Sequence, residues 1–130
     1  MLTTKISIAK KGGIAAILNA MKTHETDTDV QQDGCAAWCN FAVNADIQIS
    51  IAEAGGMAVI LNAMATHTSD AVFNNYLQNN ACGALRSLTV TADNKISIAK
   101  TGGVLAILYA MNTRKPDTTV QENACGALPN

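Results

Sequence analysis

Aromatic rings are scarce: one Trp, two Tyr and two Phe make up 4% of the 130 residues, although 48% of the chain is apolar. The interior must therefore be filled by Ala, Ile, Leu and Met, as in closely packed helices. An excess of charge of either sign is also missing. The formal net charge is -1, and the nine Lys and Arg are scattered along the chain. No basic field exists to hold nucleic acid or an acidic membrane, so neither is expected as a partner. Long hydrophobic runs are absent too. The longest, Gly102 to Met111, has ten residues, about half of a membrane span. The first residues lack the charged, apolar, small-residue order of a secretory signal. Four cysteines, three of them at one place in successive copies of a repeat, do not suggest a disulfide scaffold. The expected setting is intracellular and reducing, cytoplasmic or nuclear.

What the chain does contain is repetition. Val120-Gln121-Glu122-Asn123-Ala124-Cys125-Gly126-Ala127-Leu128 is written earlier as Leu77-Gln78-Asn79-Asn80-Ala81-Cys82-Gly83-Ala84-Leu85. A more divergent copy runs from Val30 to Trp38. A second block, Lys5 to Ile14, recurs from Gln48 to Met57 and from Lys95 to Val104. Self-similarity at a period of about 40 residues marks a repeat array. Gly12, Gly55 and Gly102 are 43 and then 47 apart, whereas Cys35, Cys82 and Cys125 are 47 and then 43 apart. The middle copy therefore carries four extra residues, placed around Ala71 to Tyr76. The chain divides into one array with copies at approximately 4–45, 46–92 and 93–130.

Each copy reads as three helices, giving nine helical segments. The first spans roughly Thr4 to Lys11, Asp46 to Ala54 and Asp93 to Thr101, with Asp46 and Asp93 as N-caps. A Gly-Gly pair ends it by supplying a left-handed residue and a sharp turn. The second helix has apolar residues at i, i+3, i+4 and i+7: Ile14, Ile17, Leu18 and Met21, then Met57, Ile60, Leu61 and Met64, then Val104, Ile107, Leu108 and Met111. After a polar connector the third runs roughly from Asp29 to Val43, from Ala71 to Val90, and from Thr118 onward. Val30, Gly34, Ala37, Trp38 and Phe41 make its buried stripe, matched by Leu77, Ala81, Ala84, Leu85 and Leu88.

Residues that could carry chemistry have plainer readings. His24 and His67 share a place that is Arg114 in the third copy. A place open to Arg is a poor metal or base position, and the reading is a solvated helix-end residue. Cys35, Cys82 and Cys125 read as small buried residues. Cys35 and Cys39 stand at i and i+4, but nothing nearby in the repeat completes a zinc site. The Gly-Gly pairs lack the order and the Lys-Ser/Thr ending of a phosphate loop. No nucleophile and base have a supporting third residue. Neither an enzyme, a cofactor nor a metal is expected.

The Gly-Gly between first and second helices, with Val-Gln-x-x-Ala-Cys-Gly-Ala-Leu in the third, resembles the armadillo repeat over almost the whole chain. The resemblance implies an all-α right-handed superhelix, a solenoid whose third helices line a concave groove. In such proteins an Asn near each third-helix end bonds the main chain of an extended peptide. The matching positions are Asn40, Ser87 and Asn130. The tryptophans of importin-alpha grooves match Ala36, Gly83 and Gly126 here, so nuclear-signal cargo is not expected. Trp38 matches the buried Leu85 and Leu128 instead. Asp33, Asn80 and Asn123, one turn earlier, make the groove polar and nearly neutral. The function implied is a protein–protein interaction scaffold that holds an extended peptide. The rival reading is architectural, a homo-oligomer built end to end through Ile6, Ile8 and the face near Leu128. Neither end carries a polar capping repeat, and the chain reads as a piece of a longer array.

Overall fold

The computed structural model describes residues 2–68 and 72–128. Among the described residues the protein is all-helical, and nine helices fall into three successive triplets. The first is α1 (Leu2–Ile8), α2 (Ile14–Thr23) and α3 (Thr28–Phe41). The second is α4 (Ala45–Glu53), α5 (Gly56–Thr66) and α6 (Val72–Leu88). The third is α7 (Ala92–Lys100), α8 (Gly103–Thr113) and α9 (Thr118–Ala127). The expected start of α6 at Ala71, and part of the four-residue insertion, lie outside the described residues.

The Gly-Gly pairs work as expected, and their two glycines answer different constraints. The first of each pair, Gly12, Gly55 or Gly102, has φ between 81° and 99°, which a side chain would strain. The second sits hard against the helix just ended. A Cβ on Gly103 would lie 2.6 Å from Ile98 Cγ2 and 2.9 Å from the Ile98 carbonyl oxygen, and Gly56 meets Ile51 in the same way. The result is an abrupt change of direction, with α4 and α5 meeting at 67°.

The helix starts differ from expectation. Asn44, not Asp46, caps α4, accepting from the Ile47 N–H at 2.9 Å. Thr91, not Asp93, caps α7, accepting from Asn94 N–H at 3.3 Å. Asp46 and Asp93 lie in the first turn, where a carboxylate still favours the positive end of the helix dipole. Asp27 and Asp117 cap α3 and α9. The C-terminal ends of the second helices are held by a device used three times. Gln31 Nε2 donates to the Met21 and His24 carbonyls at 2.9 and 2.8 Å. Gln78 does the same to Met64 and His67, and Gln121 to Met111 and Arg114. Each glutamine thus satisfies two carbonyls that a helix end leaves without an intrahelical partner.

The third helices pack in series. α6 lies between α3 and α9 and makes its most extensive contacts with them, while α5 packs on both α2 and α8. Trp38 is fully buried as expected, and its Nε1–H donates to Met21 Sδ at 3.2 Å. The stripe predicted for α6 is buried throughout: Leu77, Ala81, Ala84, Leu85 and Leu88 are at 0% exposure. In α3 only Trp38 of the predicted stripe is, whereas Val30, Gly34, Ala37 and Phe41 are half-buried. Among the described residues no triplet packs on that side of α3, so the same pattern buries less. No single described helix is long and apolar enough to cross a membrane.

Candidate functional site

A row of amides follows the line where α3, α6 and α9 lie side by side. Asn80 Nδ2 on α6 donates to the Gln32 carbonyl on α3 at 3.3 Å, and the Cys39 thiol donates back to the Asn80 carbonyl at 3.3 Å. Asn123 Nδ2 on α9 donates to Asn79 Oδ1 on α6 at 2.7 Å. Asn123 Oδ1 in turn accepts from Arg86 Nη1 at 3.4 Å. Gly83 sits between the two pairs, its missing Cβ 3.1 Å from Cys39 Sγ and 3.5 Å from Asn123 Nδ2. A side chain there would close the seam, so glycine keeps the backbone of α6 half-exposed.

Each expected groove residue has a distinct place. Asn40, near the end of α3, is exposed, and its equivalent Ser87 is half-buried near the end of α6. Asn130 lies outside the described residues. Asp33 is exposed, Ala36 half-buried, and Asn80 and Asn123 half-buried within the amide row. Asn80 and Asn123 therefore join neighbouring helices as well as facing the row. Arg86 was not anticipated. It is exposed, lies across Gly126, and brings one positive charge beside Asn123. Its signal was available: the equivalent places hold Cys39 and Pro129, so a cation there belongs to one copy alone.

The histidine reading needs correction. His24 is exposed, but His67 and Arg114 are buried, at 8% and 5% exposure. His67 Nε2 is 2.8 Å from the Glu25 carbonyl and Nδ1 is 3.2 Å from Thr28 Oγ1. A carbonyl only accepts, so Nε2 carries a proton and, in the neutral ring, Nδ1 accepts from the threonine. His67 is thus a strut from the end of α5 to the connector before α3, one triplet back.

The cysteines divide. Cys35 and Cys82 are fully buried, Cys39 is half-buried and Cys125 is exposed. Burial, then the neighbouring Cys39, pushes the Cys82 thiol up to about 12. Burial alone pushes Cys39 to about 11. Burial, and then Cys39 and Cys82, raises Cys35 still further. These thiols stay protonated at neutral pH and are poor nucleophiles. Among the described residues no three His, Cys, Asp or Glu side chains are placed to hold a metal ion.

A separate cleft of about 590 Å³ opens between α5 and α8, lined by Leu61, Met64, Leu105, Ala106 and Tyr109 among others. Its lining is apolar apart from Thr68, Thr101 and the Tyr109 phenol, and holds no Asp, Glu, His, Lys or Arg. No protein-family model, curated protein or solved structure matches this chain.

Proposed function

We propose that this chain is an armadillo-like array, a right-handed superhelix of three-helix units, and that it works as a protein–protein interaction scaffold. Its ligand in this reading is an extended peptide segment lying across α3, α6 and α9. The observation that carries the reading is the amide row, with Asn40 and Arg86 exposed beside it. An exposed Asn amide donates to a peptide carbonyl and accepts from a peptide N–H at once, whatever the peptide's side chains. Arg86 adds a donor for a carboxylate of the ligand. Asp33 at the other end of the row keeps the surface nearly neutral. No reaction belongs to this reading, and neither nucleic acid nor membrane is its partner.

Panning the chain against displayed random peptides tests it. Enriched peptides should bind about five- to tenfold more weakly to Asn40→Ala, the loss of about 1 kcal/mol of hydrogen bonding. Arg86→Ala should weaken peptides that carry an acid more than those that do not. Absence of enrichment, or binding indifferent to both changes, overturns the reading.

A further inference from the structure

The two internal junctions bury the same positions each time. Facing the preceding triplet are Ile60, Leu77, Ala81 and Ala84 in the second, and Ile107, Val120, Ala124 and Ala127 in the third. All are at 0% exposure. Their equivalents in the first triplet, Ile17, Val30, Gly34 and Ala37, are half-buried and line an open cleft of about 370 Å³. Facing the following triplet are Cys35 and Trp38, then Met64, Cys82 and Leu85, all buried, while Met21 is buried but also lines the open cleft of the first triplet. Their third-triplet equivalents Met111 and Leu128 are half-buried, and Cys125 is exposed. Leu108 on the same side is 45% exposed, against 8% for Leu18. Among the described residues each open face is therefore one half of a junction that they already make twice.

We propose that a second copy of this chain docks head to tail, its Leu108, Met111, Cys125 and Leu128 against Ile17, Val30, Gly34 and Ala37 of the first. The polar contacts continue in the same register. Lys115 and Thr118 stand where Glu25 and Thr28 receive His67. His24 stands at the place of His67 and is exposed. In the docked pair it reaches the Lys115 carbonyl and the Thr118 hydroxyl of the other copy. One pairing opposes the contact. Asp33 takes the place of Asn80 and Asn123, and Glu122 that of Gln32 and Asn79. Two carboxylates then stand where the second junction pairs Asn123 Nδ2 with Asn79 Oδ1, and Asp33 brings an acceptor where Asn80 donates to the Gln32 backbone carbonyl, so the joint is weaker than the junctions within the chain. The inference is independent of the peptide groove.

Because the two faces differ, a docked copy leaves one of each free and growth does not stop at a pair. Light scattering across a concentration series of the 130-residue chain should show the average mass climbing past twice 13.6 kDa without a plateau. Leu108→Glu and Ala37→Glu should each be monomeric alone. Mixed, they should form a one-to-one complex that grows no further, since each supplies the face the other has lost. Circular dichroism checks that both keep the parent helix content. His24→Ala should weaken association at least threefold, and Glu122→Gln should strengthen it at least threefold. A parent chain that stays monomeric, a plateau at the dimer, or self-association of either blocked variant overturns the proposal. So does a mixture that forms no complex, or association unmoved by Glu122→Gln. Asn40→Ala leaves the mass distribution unchanged, which separates this failure from that of the peptide reading.

Discussion

Gly55 and Gly56 are neighbours with unlike reasons for being glycine. Gly55 has φ 96° and open space around its missing side chain, so Gly55→Ala should cost about 1–2 kcal/mol through backbone strain alone. Gly56 has an ordinary φ, but a Cβ would lie 2.9 Å from the Ile51 carbonyl oxygen and press on Ile51 Cγ2. Gly56→Ala should cost about 2–3 kcal/mol by overpacking. Ile51→Leu removes that methyl, so it should recover part of the Gly56→Ala loss and none of the Gly55→Ala loss. Urea titrations of the double-mutant cycle check this. The thiols make a second residue-scale prediction. With folded values raised well above the ordinary 9.0, the native state holds protons that the unfolded chain releases. Their contribution is intact below about pH 9 and is lost as pH rises toward about 12. The slope is up to about 1.4 kcal/mol per pH unit for each buried thiol. Thermal melts above pH 9 should show it, and Cys82→Ala should flatten it. At pH 8 a thiol reagent should label Cys125 first and Cys35 and Cys82 only on unfolding.

At the scale of the helix, the start of α4 decides between two readings of one stretch. Asn44→Ala should cost about 1 kcal/mol, the usual loss of an N-cap. Asp46→Ala should cost about 0.3–1 kcal/mol and less in salt, because it acts on the helix dipole. Melting temperatures at two ionic strengths separate them. The sequence reading placed the cap two residues late because several side chains near each start can accept from a free N–H. Periodicity does not say which of them is extended, and φ -146° at Asn44 does. The faces of the second helices were legible because the same spacing recurs three times, and the turns because Gly-Gly recurs with it. The glutamine clamp was also present in all three copies, as Gln31, Gln78 and Gln121, but its acceptors are carbonyls, which carry no side-chain signature. Of the expected groove, Asn40 and Ser87 were named from the resemblance to the armadillo repeat. The bonds of Asn80 and Asn123 to neighbouring helices were not, since they depend on how closely α3, α6 and α9 approach.

Across the whole molecule, position in the series decides what a residue does as much as its identity. His24 and His67 are the same residue at the same place, and among the described residues only His67 has a triplet behind it to brace against. Val30 and Val120 are likewise equivalent, one half-buried and the other at 0% exposure. Local pattern gives both members of each pair one description, which is why the solvated reading failed for His67 and the buried stripe was overdrawn in α3. Trp38 has a consequence at this scale. As the chain's sole indole, sealed in the first triplet beside the Met21 sulfur, it makes the protein's fluorescence a local gauge, whereas ellipticity averages over every helix. Because the third triplet's most extensive contact is that of α9 with α6, it can melt while the emission stays blue. The lag between the optical and helical signals then reads directly how strongly one unit holds the next.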